Sequence, residues 1–244
     1  MSCATLRRAF AQGPEDEDPG AHSRAFWKEP LISAADILVA VEALAILAFA
    51  ISGLLESARK GLDAVGVCMV TGLAAFGGGT IRDILLDRRP FFWVEHASWL
   101  WALMLLGIAA MMFMRVRHFA PTERAMQWPD AVGLGLFTAG GTQMALSLGM
   151  PAIVAVLMGL ITAVFGGVLR DIVCNEIPSA FSDHRPYAIC SFAGGWVVVA
   201  AQALQAPPWV GLLGATVVAT GLRALALATG FTLPRWPRED LPPH

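Results

Sequence analysis

Apolar residues fall into seven runs of membrane-spanning length, separated by short stretches rich in charge, Pro or Trp: 37–55, 62–86, 98–114, 131–148, 151–174, 187–204 and 208–227. A bilayer core of about 30 Å is crossed by roughly 20 mostly apolar helical residues, so the pattern predicts an all-α integral membrane protein with seven transmembrane helices. Outside the runs the pattern changes. Residues 1–35 carry the acidic run Glu15, Asp16, Glu17 and Asp18 and no apolar stretch of signal-peptide length, which predicts a disordered tail. The Pro-rich, charged stretch 231–244 predicts a short exposed tail.

Composition agrees with a membrane fold. Of 244 residues, 56% are hydrophobic and 15% charged, with a mean hydropathy of +0.61; a soluble domain carries about 25% charged residues. Seventeen Lys and Arg against 19 Asp and Glu give a net charge of -2 and no basic footprint for nucleic acid. Cys3, Cys68, Cys174 and Cys190 form no C-x-x-C pair, so neither a metal site nor a disulfide framework is expected. No nucleophile-elbow, zincin or P-loop pattern occurs, and His22, His96, His118, His184 and His244 lie in tails or loops. The expectation is a protein that is not an enzyme and holds no cofactor.

Seven spans place Arg59, Lys60, Arg115, Arg117, Arg124, Arg185, Arg235 and Arg238 on one side, while the short loops on the other side carry only Arg88 and Arg89. The positive-inside rule makes the first side cytoplasmic, with the N-terminus outside and the C-terminus inside. Trp93, Trp99 and Trp209 then mark the outer interface, and Trp128 and Trp236 the inner one.

A shift of 88 residues aligns Phe49 with Phe137, Gly53 with Gly141, Gly61 with Gly149 and Gly107 with Gly195. Under the same shift Gly78, Gly79, Arg82, Asp83 and Pro90 coincide with Gly166, Gly167, Arg170, Asp171 and Pro178. The chain thus reads as a first three-helix repeat over 36–116, a second over 130–205 and a seventh helix over 206–230. An odd number of spans per repeat returns the chain from the opposite face, so the repeats are expected to be inverted, an arrangement common in permeation proteins.

The repeats share a chemistry. Gly77, Gly78 and Gly79 lie past the middle of the second span, and Gly166 and Gly167 past the middle of the fifth. Each glycine costs about 1 kcal/mol against Ala inside a helix. Either close helix approach or a pore-lining break that exposes carbonyls would offset this. Arg82, Asp83, Arg170 and Asp171 cost about 2.5–3.5 kcal/mol each if they face lipid, so they are expected to face protein or water. Neighbours in sequence point apart on a helix, so Arg82 is not expected to take Asp83 as its main partner. Inversion predicts two separate polar clusters, one toward each mouth, unless these residues only pin helix ends. Asp63 reads as a helix cap or as a cation-attracting group at the cytoplasmic mouth. Glu42 aligns with Asp130 and reads as a group near a helix end or as an ion site, while Thr71, Thr162 and Thr80 supply hydroxyls.

The stretch 61–93, with Gly-Leu-Asp at 61–63, Gly77 to Asp83 and Pro90 to Trp93, resembles the prokaryotic TRIC (trimeric intracellular cation) channels, whose members contain two copies of a glycine-transporter domain. The second copy resembles them from Asp130 through Gly133 and Phe137, Gly166 to Asp171, Ile177-Pro178 and Tyr187-Ala188. This resemblance implies a homotrimer with one pore per protomer, potassium as the chief permeant, membrane lipids as neighbours, and kinks at Gly77, Gly78, Gly79, Gly166 and Gly167. The chain departs in its Glu42, where the family commonly has Asp, in Phe165, which replaces the first glycine of the second motif, and in its acidic N-terminal tail. A carrier for glycine or another small zwitterion, using broken helices to hold a carboxylate, is the competing reading.

Overall fold

The computed structural model describes residues 34–117, 122–182 and 185–234; the predicted N-terminal tail, Trp236, and most of the C-terminal tail lie outside them. The chain divides after Ile37 into two units, and the helical packing belongs to the second, which starts at Leu38.

Among the described residues there are nine helices and no strand. They are α1 (Ala34–Lys60), α2 (Ala64–Leu85), the single-turn α3 (Phe92–Glu95), α4 (Ser98–Arg117), α5 (Glu123–Ser147), α6 (Ala152–Val173), the single-turn α7 (Ser179–Ser182), α8 (Ala188–Ala203) and α9 (Pro208–Thr229). Four of them, α1, α2, α6 and α9, are long and apolar enough to cross a membrane. α4 and α8 contain shorter apolar stretches, Ser98–Phe113 and Ala188–Ala203.

α5 corrects the expectation most. The apolar run begins at 131, but the helix begins at Glu123, with Thr122 Oγ1 accepting the Ala125 N–H at 3.3 Å, and it continues through Pro129. Its polar residues are tolerated because α6, α8 and α9 cover it, leaving Gln127, Asp130, Thr138 and Thr142 buried. Hydropathy under-reads a helix whose surroundings are protein rather than lipid.

Local chemistry repeats at the spacing of the sequence match. α1 ends at Gly61 (φ 64°) and α5 at Gly149 (φ 76°), left-handed positions that glycine adopts without a Cβ penalty. After α2 and α6 the left-handed residues are Asp87 (φ 50°) and Asn175 (φ 56°), again 88 apart. Asp63 N-caps α2 through Oδ1, 2.8 Å from the Gly66 N–H, as one of its two expected roles requires.

Packing shows the inversion directly. Ala74 lies against Gly166 and Gly78 against Thr162, so α2 and α6 run antiparallel across each other. The equivalent residues Gly78 and Gly166 meet at this crossing: a Cβ on Gly78 would sit 2.0 Å from the Thr162 carbonyl oxygen, and one on Gly166 2.4 Å from that of Ala74. Phe49 and Phe137, also equivalent, stack at 5.4 Å between centroids with an interplanar angle of 21°. Gly53 presses on Thr71 and Ala74 of α2, while its equivalent Gly141 presses on Gly159 and Thr162 of α6. Residues paired with their own equivalents lie on a pseudo-two-fold axis, which passes between Phe49 and Phe137 and between Gly78 and Gly166. α9 stands outside the repeats, packed on α5 and α8.

Candidate functional site: two buried arginine–carboxylate clusters

α2 and α6 stay helical through their glycines, so of the two uses open to them the carbonyl-exposing break is absent and close approach accounts for the Gly78 and Gly166 positions. Gly77 packs on Leu169, and Gly79 lies beside Glu42 and Arg82. Small residues let the backbones touch where side chains would hold them apart.

Near the C-terminal end of α2, Arg82 is 1% exposed and bridges two carboxylates. Its Nε donates to Asp83 Oδ1 at 2.9 Å and its Nη2 to Glu42 Oε1 at 2.7 Å. Arg82 thus pairs with its neighbour Asp83 as well as with Glu42, which makes the shorter contact, so Asp83 is a second partner and not the main one. The helical rule concerns Cβ directions, whereas an arginine side chain is long enough to fold back on its neighbour, and a carboxylate 1% exposed requires a donor. Of the two readings of Glu42, a place near a helix end does not hold, since it lies eight residues inside α1 and is buried. Arg88 Nη1 lies 3.9 Å from Asp83 Oδ1.

The equivalent cluster closes the other end of the crossing. Arg170 is fully buried; its Nε donates to Asp171 Oδ1 at 2.8 Å and its Nη1 to Asp130 Oδ1 at 2.8 Å and to Ser52 Oγ at 2.5 Å. Ser52 in turn donates to the Met126 carbonyl, three residues before Pro129, where the helix ladder is weakened. Asp130 also accepts the Tyr187 O–H at 2.6 Å, and Asp171 accepts the Ser179 N–H at 2.8 Å. Arg223 of α9 lies over the Tyr187 ring at 4.8 Å and donates to the Pro186 carbonyl.

Because α2 and α6 are antiparallel, the clusters sit at opposite ends of the crossing. Separate clusters are legible in the sequence; their full membership is not. Sequence reasoning misses Tyr187, the Ser179 N–H and Arg223, although an arginine deep in an apolar run is itself a signal of a protein-facing charge. Thr80 accepts from Trp93 Nε1 at 3.1 Å and donates to its own helix at Phe76. Thr162 also bonds back to its helix, at Met158, whereas Thr71 Oγ1 is buried without a hydrogen bond among the described residues. Asp63 is exposed at the opposite end of α2 from Arg82 and belongs to neither cluster.

At the end holding Arg170, Arg59 and Lys60 at the C-terminus of α1 reach Glu176 beyond α6, with Lys60 making the closer contact. This pairing holds the Glu176 carboxyl below the usual carboxylate range. Among the described residues no group of three or more His, Cys, Asp or Glu is arranged to hold a metal ion.

Comparison with known proteins agrees with the duplication. The glycine transporter family profile matches twice, over residues 39–115 and 127–203. A UPF0126 membrane protein of Vibrio cholerae is 31% identical over 81% of this chain and 82% of its own length. The UPF0126 inner membrane protein YadS of Escherichia coli is 32% identical over 79% and 92%. Among solved structures, a TRIC trimeric intracellular cation channel orthologue from Rhodobacter sphaeroides superposes with a TM-score of 0.73 at 32% identity, covering 80% of this chain and 99% of that one. A prokaryotic TRIC channel solved in 0.5 M KCl superposes with a TM-score of 0.71 at 29% identity, covering 81% and 98%. Two family domains in one chain, inverted about the Gly78–Gly166 contact and superposing on solved channels, place this membrane protein in the prokaryotic TRIC cation-channel family, built from paired glycine-transporter domains.

Proposed function

We propose that the protein is a monovalent cation channel with potassium as its chief permeant, one pathway per protomer of a homotrimer, and α2 and α6 lining that pathway. The observation that carries this reading is the pair of equivalent buried Arg–carboxylate clusters at opposite ends of an antiparallel crossing whose contact is made by glycine. Counted as ionised, each core triad holds two carboxylates and one guanidinium, a net negative charge that favours cations over anions at either mouth. The helices touch at Gly78 and Gly166, so conduction requires them to part there. No interlocking side chain opposes such a movement at that contact. Gly77, Gly79, Gly167, Thr80, Thr71 and Thr162 then border the pathway, and Asp63 adds a carboxylate at the inner entrance.

In this reading α4, α5 and α8 cross the bilayer with the four apolar helices, giving seven spans in the bacterial inner membrane, N-terminus outside and C-terminus cytoplasmic, among membrane lipids. The family's name supports a second reading, a carrier for glycine or a similar zwitterion. Purified protein in liposomes separates them: a potassium gradient drives flux and glycine is not accumulated if the channel reading holds. Saturable glycine uptake without potassium flux overturns it.

A further inference from the structure

The two clusters differ in one respect that the repeat makes visible. In the second, both outer carboxylate oxygens are capped: Asp130 Oδ2 by the Tyr187 hydroxyl and Asp171 Oδ2 by the Ser179 N–H. In the first, Glu42 and Asp83 each spend one oxygen on Arg82. Their other oxygens, Glu42 Oε2 and Asp83 Oδ2, accept no hydrogen bond among the described residues. Position 99, which matches Tyr187, is a Trp with no hydroxyl, half-buried against the apolar core.

Both carboxylates instead border a cleft with Gly79, Thr80, Phe76 and Trp93, of about 10 Å³. That is room for one sphere the size of a water molecule. Asp83 is almost wholly buried and lines this cleft. A buried carboxylate oxygen needs either a donor or a positive charge. Two carboxylates against Arg82 leave a formal negative charge, and Arg88 approaches only the oxygen that Arg82 already uses.

We infer that the cleft between Glu42, Asp83 and Thr80 binds one dehydrated monovalent cation of about a water molecule's size, and that Tyr187 and Ser179 close the equivalent position at the other end. Such a site fits potassium better than a smaller, more tightly hydrated ion, because three protein oxygens replace only part of a hydration shell. It gives the two mouths different tasks: the Glu42 end dehydrates and holds the ion, and the Asp130 end carries no resident ion. The inference rests on the cation-channel reading, yet it is separable from it, since a site can fill in protein that passes no current and current can flow past a site that never fills.

Thallium(I), a potassium-sized ion with a strong anomalous signal, is the probe. Crystals of the full chain grown in thallium(I) acetate are expected to show one anomalous peak within coordination distance of Glu42 and Asp83, and none beside Asp130 and Asp171. Glu42→Gln should reduce the peak several-fold. Thr80→Val, which leaves every charge in place, should weaken it in protein of unaltered oligomeric state, so the test survives if Glu42→Gln fails to fold. No peak in the cleft, equal peaks at both ends, or a peak indifferent to Thr80→Val would overturn the inference. Unitary potassium currents recorded from the same preparation report on the channel reading independently.

Discussion

At the residue scale, the crossing of α2 and α6 is limited by the absence of a Cβ. Gly78→Ala drives a methyl carbon to 2.0 Å from a backbone oxygen that cannot rotate away, so it should cost about 1–3 kcal/mol through forced separation of the helices. Gly72, on the same helix, has nothing within 4 Å of its would-be Cβ, and Gly72→Ala should be neutral or stabilising by up to about 1 kcal/mol. Thermal unfolding of both variants in detergent checks the contrast; equal effects would show that close approach is not what the motif serves. The buried charges predict a second difference. Arg170→Ala strands Asp130 and Asp171 and should cost about 3–5 kcal/mol. Tyr187→Phe removes a single donor from Asp130, leaves the guanidinium in place and should cost about 1–3 kcal/mol by the same assay.

At the element scale, the helices that are apolar along their whole length are legible in the sequence and those that carry polar residues inside are less so. The runs at 62–86 and 151–174 match α2 and α6 to within two residues, because their apolar stretches are unbroken and charge marks the ends. The apolar pattern starts α5 eight residues late, since Gln127, Pro129 and Asp130 look like a loop until α6, α8 and α9 are seen to enclose them. The single-turn helices α3 and α7 leave no periodicity to read. Of the site, Arg82, Asp83, Arg170 and Asp171 are visible as costly charges in apolar runs, while the capping of Asp130 by Tyr187 depends on a contact across 57 residues. The C-terminus of α1 and the turn after α6 are joined by the Lys60 and Arg59 pairs to Glu176. The lowered Glu176 value means this link is complete above the ordinary carboxylate range, about 4.3 for Glu, and is lost as pH falls through the lower folded value. Glu176→Gln should therefore flatten the acid side of the thermal-midpoint profile and weaken its salt dependence, both small effects for an exposed pair. A profile unchanged by the substitution would show that the link does not bear on stability.

At the scale of the whole molecule, two inverted three-helix units join along a glycine contact, with a charged cluster at each end of it. α9 breaks the symmetry by placing Arg223 over Tyr187, so the two ends differ in what surrounds their clusters. The claim that a cation pathway follows α2 and α6 between these clusters is tested most directly by single-channel recording of purified protein in a planar bilayer under a potassium gradient, comparing wild type with Arg82→Ala and Arg170→Ala in intact oligomers. A pathway at this place predicts stepwise potassium currents whose amplitude or gating changes in each variant. Currents identical in all three proteins, or no unitary current from protein that accumulates glycine, would contradict it.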